Sequence, residues 1–269
     1  MCQIIGVSRS GYYRGPVQPK SERIAEEAAV IHCFKENQGN YGRIRIRKAL
    51  LKKGMAVSEY RIARILRTNG LVAKAGRDCG PSKPHATQKQ YLEENLIWDK
   101  FSVKESNFLW CSDITELRYR NGTLYLCGVI DVATRRIVGW SISRRQTQDL
   151  VQEAFRMAVG RNPDRPDRAV YHSDRGSQYT AKRTKELVEA YGFRKSMSRP
   201  GTPSDNQPIE SFWHTLETEL DPLTQYTYED ASRKIVKYIE LYYNSSRLHS
   251  SIAYLAPNEF FTLLSVHHT

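Results

Sequence analysis

The sequence contains no run of about 18 or more apolar residues, the length that a membrane-spanning helix requires. Its opening residues, MCQIIGVSRSGYYRG, lack the apolar run and the small-residue cleavage site of a signal peptide. No heptad repeat is sustained anywhere in the 269 residues, so a coiled coil is not expected. These absences predict a cytoplasmic protein that is neither exported nor embedded in a membrane.

Cysteine is also scarce, because the chain has only five, at wide spacings and with no C-x-x-C pair. An odd number without paired spacing argues against a disulfide framework and against a zinc finger. His32 and Cys33 are adjacent, but no second pair follows at ligand spacing. We therefore interpret them as residues of a helix rather than as metal ligands.

Acidic residues are nearly missing from one segment. Residues 40–77 contain 11 Lys and Arg residues but a single acid, Glu59. The first hundred residues hold 19 basic and 9 acidic residues, so they carry most of the chain's formal charge of +12. Such a density predicts binding to a polyanion, with a merely solvated helix face as the alternative.

The same basic segment has the pattern of a helix-turn-helix. An amphipathic helix at 21–36 precedes a basic helix near 44–51, and Ser58 is a plausible N-cap for a further helix that Asn69-Gly70 ends. We place the helix-turn-helix at about 41–70, within a helical region 1–73. A plain helical hairpin is the alternative.

Both helices of this motif carry arginines at close spacing. On the second helix a spacing of three clusters the guanidinium groups on one side, where they can reach phosphates or guanine edges. The predicted DNA-binding residues here are Arg43, Arg45, Arg47, Arg61, Arg64 and Arg67.

A linker at 74–95, rich in Pro and Gly, separates this region from a second domain at 96–269. That domain begins with a β-hairpin through Asn121-Gly122 and a third strand, followed by alternating helices and strands. The pattern predicts an α/β fold with a mixed five-stranded sheet and helices on each face. We interpret the C-terminal segment Ala231–Asn244, with Ile235, Tyr238, Ile239 and Tyr242 at helical spacing, as core packing.

Three carboxylates stand where strands and a helix could bring them together. Asp113 lies inside the first strand, Asp174 directly follows the fourth, and Glu210 lies on a later helix. Clustered carboxylates repel one another unless divalent cations neutralise them, which predicts Mg²⁺ or Mn²⁺. Singly, Asp174 could be a turn former and Glu210 a solvated helix residue. We assign a fourth carboxylate, Asp131, to turn capping.

The words around these residues, WCSDITEL, YHSDRGSQY and SDNQPIESFWHTLETEL, resemble the DDE integrase-core family, and residues 175–209 supply its 35-residue interval. The similarity is to the OrfB-type transposases of insertion-sequence family three, which are related to retroviral integrases. YGRIRIRKALLKKGMAVSEYRIARILRTNGLVAK resembles their helix-turn-helix segment, and YYNSSRLHSSIAYLAPNEFF resembles their C-terminus. The resemblance implies an RNase H-like fold with Asp113, Asp174 and Glu210 as catalytic and metal-binding residues.

This family implies an activity and partners. We expect cleavage and transfer of DNA strands at element ends, with two Mg²⁺ or Mn²⁺ ions in each active site. The expected partners are element-end and target DNA, further copies of the chain, and the product of an upstream OrfA-type reading frame, joined to this chain as a frameshift fusion. We expect the protein to be associated with the bacterial nucleoid. The alternatives are an RNase H-like nuclease without strand transfer and an inactive DNA-binding remnant or repressor.

One position departs from the family. Its members commonly carry Lys or Arg seven positions after the catalytic Glu, but this sequence has Glu217, which would repel phosphate. We expect Lys195, Arg199 and Arg247 to supply the positive charge for DNA instead.

Overall fold

The computed structural model describes residues 20–74, 105–199 and 203–266. The chain divides into two compact units, Met1–Gly80 and Pro81–Thr269. Apart from Lys74, the predicted linker lies outside the described residues, so the domain boundaries stay a prediction. Within the described ranges no helix is both long and apolar enough to cross a bilayer.

The first unit is helical, as predicted. Its described helices are α1 (Lys20–Glu36), α2 (Arg43–Lys52) and α3 (Glu59–Thr68). Ser58 caps α3, because its side-chain oxygen accepts a hydrogen bond from the backbone N of Arg61 at 3.3 Å. The helix ends at Asn69, and Gly70 follows with φ of 64°, a conformation that glycine adopts without strain. The predicted cap and stop of this helix are both confirmed.

Acidic residues of α1 neutralise part of the basic segment. Glu26 Oε2 lies 3.1 Å from Nε of Arg61 on α3, and Glu36 Oε2 lies 3.0 Å from Nζ of Lys53, just after α2. The Glu26–Arg61 pair is partly buried, so solvent screens it less than a surface pair. Arg61 therefore ties α3 to α1 instead of facing outward.

The second unit is built on a mixed five-stranded sheet, which confirms the predicted fold class. Its strands are β1 (Leu109–Tyr119), β2 (Gly122–Asp131), β3 (Ile137–Ser143), β4 (Val170–Ser173) and β5 (Arg194–Met197). Their order is β3-β2-β1-β4-β5, in which β1, β2 and β3 are antiparallel and β1, β4 and β5 are parallel. The predicted hairpin turn is confirmed, because Tyr119 pairs with Gly122.

Helices cover both faces of this sheet. They are α4 (Gln148–Arg161), α5 (Ser177–Thr180), α6 (Lys182–Ala190), α7 (Gln207–Glu219), α8 (Tyr228–Lys237) and α9 (Pro257–Val266). Side chains of α4, α5 and α6 share one core cluster with Trp110, whereas α7 and α8 share the other with Leu109 and Cys111. Neighbouring residues of β1 thus face opposite layers, as the period of a strand requires.

A π-helical turn, Tyr238–Tyr243, follows α8 and corrects one detail of the predicted core. The backbone N of Asn244 donates to the carbonyl of Ile239 at 2.9 Å, five residues back. The wider turn shifts the buried face by one position, so Tyr243 is buried and Tyr242 only partly so. The remainder of the predicted core packing in this segment, including Ile235, is confirmed.

The turn between β2 and β3 is organised by Asp131. Its Oδ2 accepts hydrogen bonds from Oγ1 of Thr134 at 2.5 Å and from the backbone N of Thr134 at 3.3 Å. Its Oδ1 accepts from the backbone N of Asn107 at 3.2 Å. Burial raises the pKa of Asp131 to about 6, and these hydrogen bonds oppose that rise. The assignment of Asp131 to turn capping is confirmed.

A close backbone contact makes β3 sensitive to side-chain volume. A Cβ atom added at Gly139 would lie 2.2 Å from the carbonyl oxygen of Ala154 on α4. We expect Gly139→Ala to lower the free energy of unfolding by about 1 to 3 kcal/mol or more, because α4 must move off the sheet. Thermal unfolding of the full chain checks this.

Gly160, near the end of α4, is the matched control, because an added Cβ meets nothing within 4 Å there. Gly160→Ala should be neutral or raise the unfolding temperature, since alanine is the better helix former. Equal unfolding temperatures for the two variants would contradict the close contact at Gly139.

Candidate active site

Asp113 lies on β1, the central strand of the sheet. It pairs with Gly128 of β2, and it continues the face that carries Leu109 and Cys111. Because Gly128 has no side chain, the ring of Trp213 from α7 packs against β2, where an added Cβ would lie 2.7 Å from it. Nε1 of Trp213 donates a hydrogen bond to Oδ2 of Asp113 at 3.0 Å. The strand and α7 together thus orient this carboxylate.

Asp174 stands beside Asp113 because of the strand register. Ser112 of β1 pairs with Ser173, the last residue of the parallel strand β4. Each aspartate is the next residue along, so the two lie at the same level of the sheet. Oδ1 of Asp174 accepts a hydrogen bond from the backbone N of Gly176 at 3.0 Å, which fixes the exposed carboxylate at the strand end.

Glu210 reaches this edge from the first turn of α7. Directly before the helix, Nδ2 of the buried Asn206 donates to the carbonyl oxygen of Ser112 at 3.0 Å. Because Ser112 precedes Asp113, this bond ties the start of α7 to the strand beside the aspartate. The residue before it, Asp205, forms a bidentate pair with Arg199 at 2.8 and 2.7 Å.

The three carboxylates interact electrostatically. The pKa of Asp113 is raised to about 7, mainly by burial, and the charges of Asp174 and Glu210 contribute to this rise. Hydrogen bonds from the backbone of Ile114 and from Trp213 oppose this rise. Burial, and then the charge of Asp174, also raises the pKa of Glu210. Asp113, Asp174 and Glu210 therefore lie close enough for their charges to interact.

The three carboxylates are farther apart than the ligands that enclose a single metal ion. Among the residues that the structure describes, no three Asp, Glu, His or Cys side chains converge closely enough to enclose one ion. The charge of Asp174 raises the pKa of both Asp113 and Glu210, but the three carboxylates stay apart, as like charges do. The donor set nevertheless fits a hard divalent cation, because all three groups are carboxylates that such a charge would stabilise.

Two residues expected to contact DNA are instead buried in ion pairs. Arg199, whose side chain is 8% exposed, pairs with Asp205. Arg247 is 4% exposed, and its Nε and Nη2 lie 2.8 to 3.0 Å from the oxygens of Glu219, which also accepts from the hydroxyl of Tyr238. Charges held this way stabilise the interior and cannot reach a phosphate without breaking the pair. We correct the expectation for both arginines.

Lys195, which was also expected to contact DNA, has its Nζ engaged in a hydrogen bond to the carbonyl oxygen of Tyr179. Burial lowers the pKa of this lysine. His172 is fully buried between the hydroxyls of Ser196 and Ser198, at 2.9 and 3.0 Å. Burial lowers the pKa of this histidine to about 4, so it is neutral near pH 7. Its role is structural.

The predicted DNA-binding arginines of the first unit differ in what their side chains contact. Arg43 and Arg47 of α2 both lie within 4 Å of Glu59, and Arg61 pairs with Glu26. Arg45 lies over the ring of Tyr41, 5.9 Å from its centroid. Two of the predicted residues, Arg64 and Arg67, are exposed on α3.

Tyr60, which the sequence did not single out, is exposed on α3 to 78%. At positions i, i+4 and i+7, Tyr60, Arg64 and Arg67 form one outward stripe of α3. We call these three residues the α3 stripe.

The residues that orient the carboxylates were not found from the sequence. Trp213 stands three residues after Glu210, and Asn206 precedes the helix, but neither pattern specifies a partner on β1. Both contacts join residues about a hundred positions apart, at 100 and 94. Only the folded register of β1 against α7 reveals them.

Comparison with known proteins places this site in a family. The integrase core domain family matches residues 103–203, and a second integrase core domain family matches residues 191–257. An HTH-like domain family matches residues 20–78. These matches cover both units.

Relatives match over nearly the whole length. The transposase for insertion sequence element IS904 of Lactococcus lactis is 37% identical over 92% of this chain and 98% of its own. Transposase InsF for insertion sequence IS3A of Escherichia coli is 34% identical over 97% of this chain and 92% of its own.

One solved structure, the HTLV-2 integrase catalytic core domain in complex with magnesium, is 16% identical over 58% of this chain and 97% of its own, with a TM-score of 0.43. At more than a third identity over almost their full lengths, the transposases are the informative relatives. This chain belongs to the insertion-sequence transposases with an integrase core, the family of the IS904 and IS3 enzymes.

Proposed function

We propose that the chain cleaves DNA at the ends of its element and joins the freed ends to target DNA, with Asp113, Asp174 and Glu210 as the catalytic residues. The observation that carries this proposal is their electrostatic coupling at one edge of the sheet. A transposase must act on phosphodiester bonds, and clustered carboxylates are the groups that hold divalent cations against phosphate.

The three carboxylates would hold Mg²⁺ or Mn²⁺, two ions in each site. Bound there, the ions would supply activation of a water or DNA 3′-OH and stabilisation of the leaving oxygen. Asp113 has to be ionised for this role, and burial, with a smaller contribution from the neighbouring charges, opposes its ionisation by raising its pKa to about 7. Trp213 keeps the carboxylate oriented while its charge state changes.

The hydroxyl groups nearest the carboxylates are poor covalent nucleophiles. Ser112 and Ser173 are buried, and Ser112 Oγ lies 3.1 Å from the hydroxyl of Tyr179. Burial raises the pKa of Tyr179 well above its ordinary value, so this phenol stays protonated. Direct attack by water or by a DNA hydroxyl fits these surroundings better than a covalent protein–DNA intermediate.

Neutralising each carboxylate tests the catalytic assignment. Asp113→Asn, Asp174→Asn and Glu210→Gln should each abolish Mg²⁺-dependent joining of a labelled 3′-OH donor-end duplex to a plasmid. Binding of the duplex should persist, because the α3 stripe lies on another unit. The duplex comes from the inverted repeat beside the gene, and the chain is tested alone and with the upstream frame's product.

Glu217→Gln is the matched control, since this exposed carboxylate lies on the same helix as Glu210. It should join DNA at least as well as the native chain, because a charge that repels phosphate is removed. Joining by any of the three active-site variants would refute the assignment. Nicking without joining would favour the nuclease, and binding without chemistry would favour the inactive remnant.

Trp213→Phe tests the orientation of Asp113. Loss of the indole donor removes a hydrogen bond that favours the ionised carboxylate, so the pKa of Asp113 should rise further. Activity requires the ionised form, so the acidic limb of the pH–rate profile should move to higher pH. At about pH 7 the rate should fall roughly tenfold, the effect of losing a hydrogen bond to a charged group.

Trp140→Phe provides the comparison, because Nε1 of Trp140 donates to Glu240 away from the carboxylates, at 2.6 Å. This variant should keep the native pH profile. An unshifted profile in Trp213→Phe, measured from about pH 6 to about pH 9, would show that the hydrogen bond does not control Asp113.

We further propose that the α3 stripe binds the element ends. A helix-turn-helix places its second helix in the major groove, and this stripe presents two exposed guanidinium groups beside an exposed aromatic ring. Arg43, Arg45 and Arg47 lie on the preceding helix, α2. Glu59, the first residue of α3, offsets part of their charge because it pairs with Arg43 and Arg47. Pairing of two ends would require oligomers or the upstream OrfA-type product.

Salt dependence of binding tests the stripe. Arg64→Ala with Arg67→Ala should reduce the slope of log affinity against log salt by about 2, because two phosphate contacts are lost. Arg61→Ala should leave the slope unchanged and lower the unfolding temperature, because that guanidinium is paired with Glu26. The opposite ranking of the two slopes would exclude the stripe as the DNA contact.

A further inference from the structure

A cavity of about 210 Å³ opens beside α7 in the second unit. Its walls come from the first turns of α7, from the turn after β2, and from the segment that follows the π-helical turn. Nothing in the proposed chemistry of the three carboxylates uses it. Its side chains nevertheless combine an apolar floor with polar and cationic groups, which is the composition of a ligand site.

The floor of the cavity is aromatic. Phe212 of α7 and Tyr243 of the π-helical turn line it, with ring centroids 4.7 Å apart in an edge-on arrangement. Both residues are 1% exposed, so their rings are held by the core. Tyr243 owes its place to the wide turn that ends in the bond from Asn244 to Ile239. The floor is therefore rigid and preformed.

Arg135 supplies a positive charge to the wall. It has φ of 62°, a left-handed conformation that is strained for a residue with a side chain. Its backbone N donates to the carbonyl of Asp131 at 2.8 Å, within the turn that the Asp131 carboxylate caps. Arg135 is half-buried as a residue, and no carboxylate of the described residues forms an ion pair with it. An anionic group of a ligand can therefore bind to it.

The remaining polar groups sit around the mouth. Nδ1 of His249 lies 3.0 Å from Oγ of Ser251, and the histidine ring packs edge-on against Tyr243. Gln207 and Ser211 line the cavity from α7, and both are exposed. These side chains offer hydrogen-bond donors and acceptors of the kind that read the edge of a base.

The cavity opens next to the carboxylates. Glu210 is exposed on α7, three residues after Gln207 and one before Ser211. These residues share one turn of the helix, so a DNA strand lying at Glu210 passes the mouth. With a volume of about 210 Å³ the cavity has room for one base and not for a base pair.

We propose that this cavity binds a single unpaired nucleotide of the DNA substrate, with the base among Gln207, Ser211 and His249 at the mouth and its phosphate at Arg135. The proposal rests on the proposed function, because it assumes that DNA lies at Glu210. Holding one nucleotide out of the stack would fix the strand relative to the catalytic carboxylates. Unstacking a base costs free energy, which contacts in a fitted pocket can offset.

Binding of thymidine 5′-monophosphate to the full chain, in EDTA to exclude binding through metal, tests the proposal by calorimetry. Native protein should bind it at least about tenfold more tightly than thymidine or inorganic phosphate, because only the nucleotide meets both the polar groups at the mouth and Arg135. Arg135→Asn should weaken binding about tenfold, since asparagine tolerates the left-handed conformation but carries no charge.

Arg168→Asn is the matched control, because Arg168 is an exposed arginine with φ of 65° that does not line the cavity. It should bind the nucleotide as the native chain does. Ser211→Leu, which fills the mouth from an exposed position, should also weaken binding, so the test does not depend on Arg135→Asn folding.

No nucleotide binding by native protein, equal binding of inorganic phosphate, or equal losses in Arg135→Asn and Arg168→Asn would overturn the proposal. Asp174→Asn separates it from the proposed function, because this variant should lose joining and keep nucleotide binding. Nucleotide binding without joining activity would leave the cavity site standing and refute only strand transfer.

Discussion

The second unit is organised around a carboxylate that the fold partly buries on its central strand. The pKa of Asp113 is raised to about 7, chiefly because the carboxyl group is taken out of water and in part because two further carboxylates lie at the same sheet edge. The surrounding residues serve this arrangement. Gly128 makes room for Trp213, and Trp213 holds the carboxylate by a hydrogen bond. A cation would stabilise the ionised form of these carboxylates, which links the fold to the proposed chemistry.

Buried ion pairs and amide contacts keep the carboxylates within reach of one another. The Arg199–Asp205 pair and the bond from Asn206 to Ser112 fix the start of α7, while the Arg247–Glu219 pair fixes its end. Breaking such a buried pair typically costs about 3 to 5 kcal/mol, so these arginines contribute to stability instead of DNA affinity. The arginines proposed to bind the DNA ends are therefore the exposed ones of α3.

Much of this could be predicted from local sequence. The Asn121-Gly122 hairpin, the Ser58 cap and the alternating elements have short-range signals, and the words around Asp113, Asp174 and Glu210 are specific. What could not be predicted depends on distant partners. The sequence around Arg247 does not indicate whether its side chain pairs with Glu219 or binds a phosphate. The π-helical turn likewise moves Tyr243 into the core in place of Tyr242 without a sequence signal.

The central claim is that Asp113, Asp174 and Glu210 form one metal site. A crystal structure of the chain with donor-end DNA and Mn²⁺, analysed by anomalous scattering, tests it most directly. The account predicts anomalous density between the three carboxylates, with an oxygen of each as a ligand. Mn²⁺ bound elsewhere, or held by only one of the three, would contradict it.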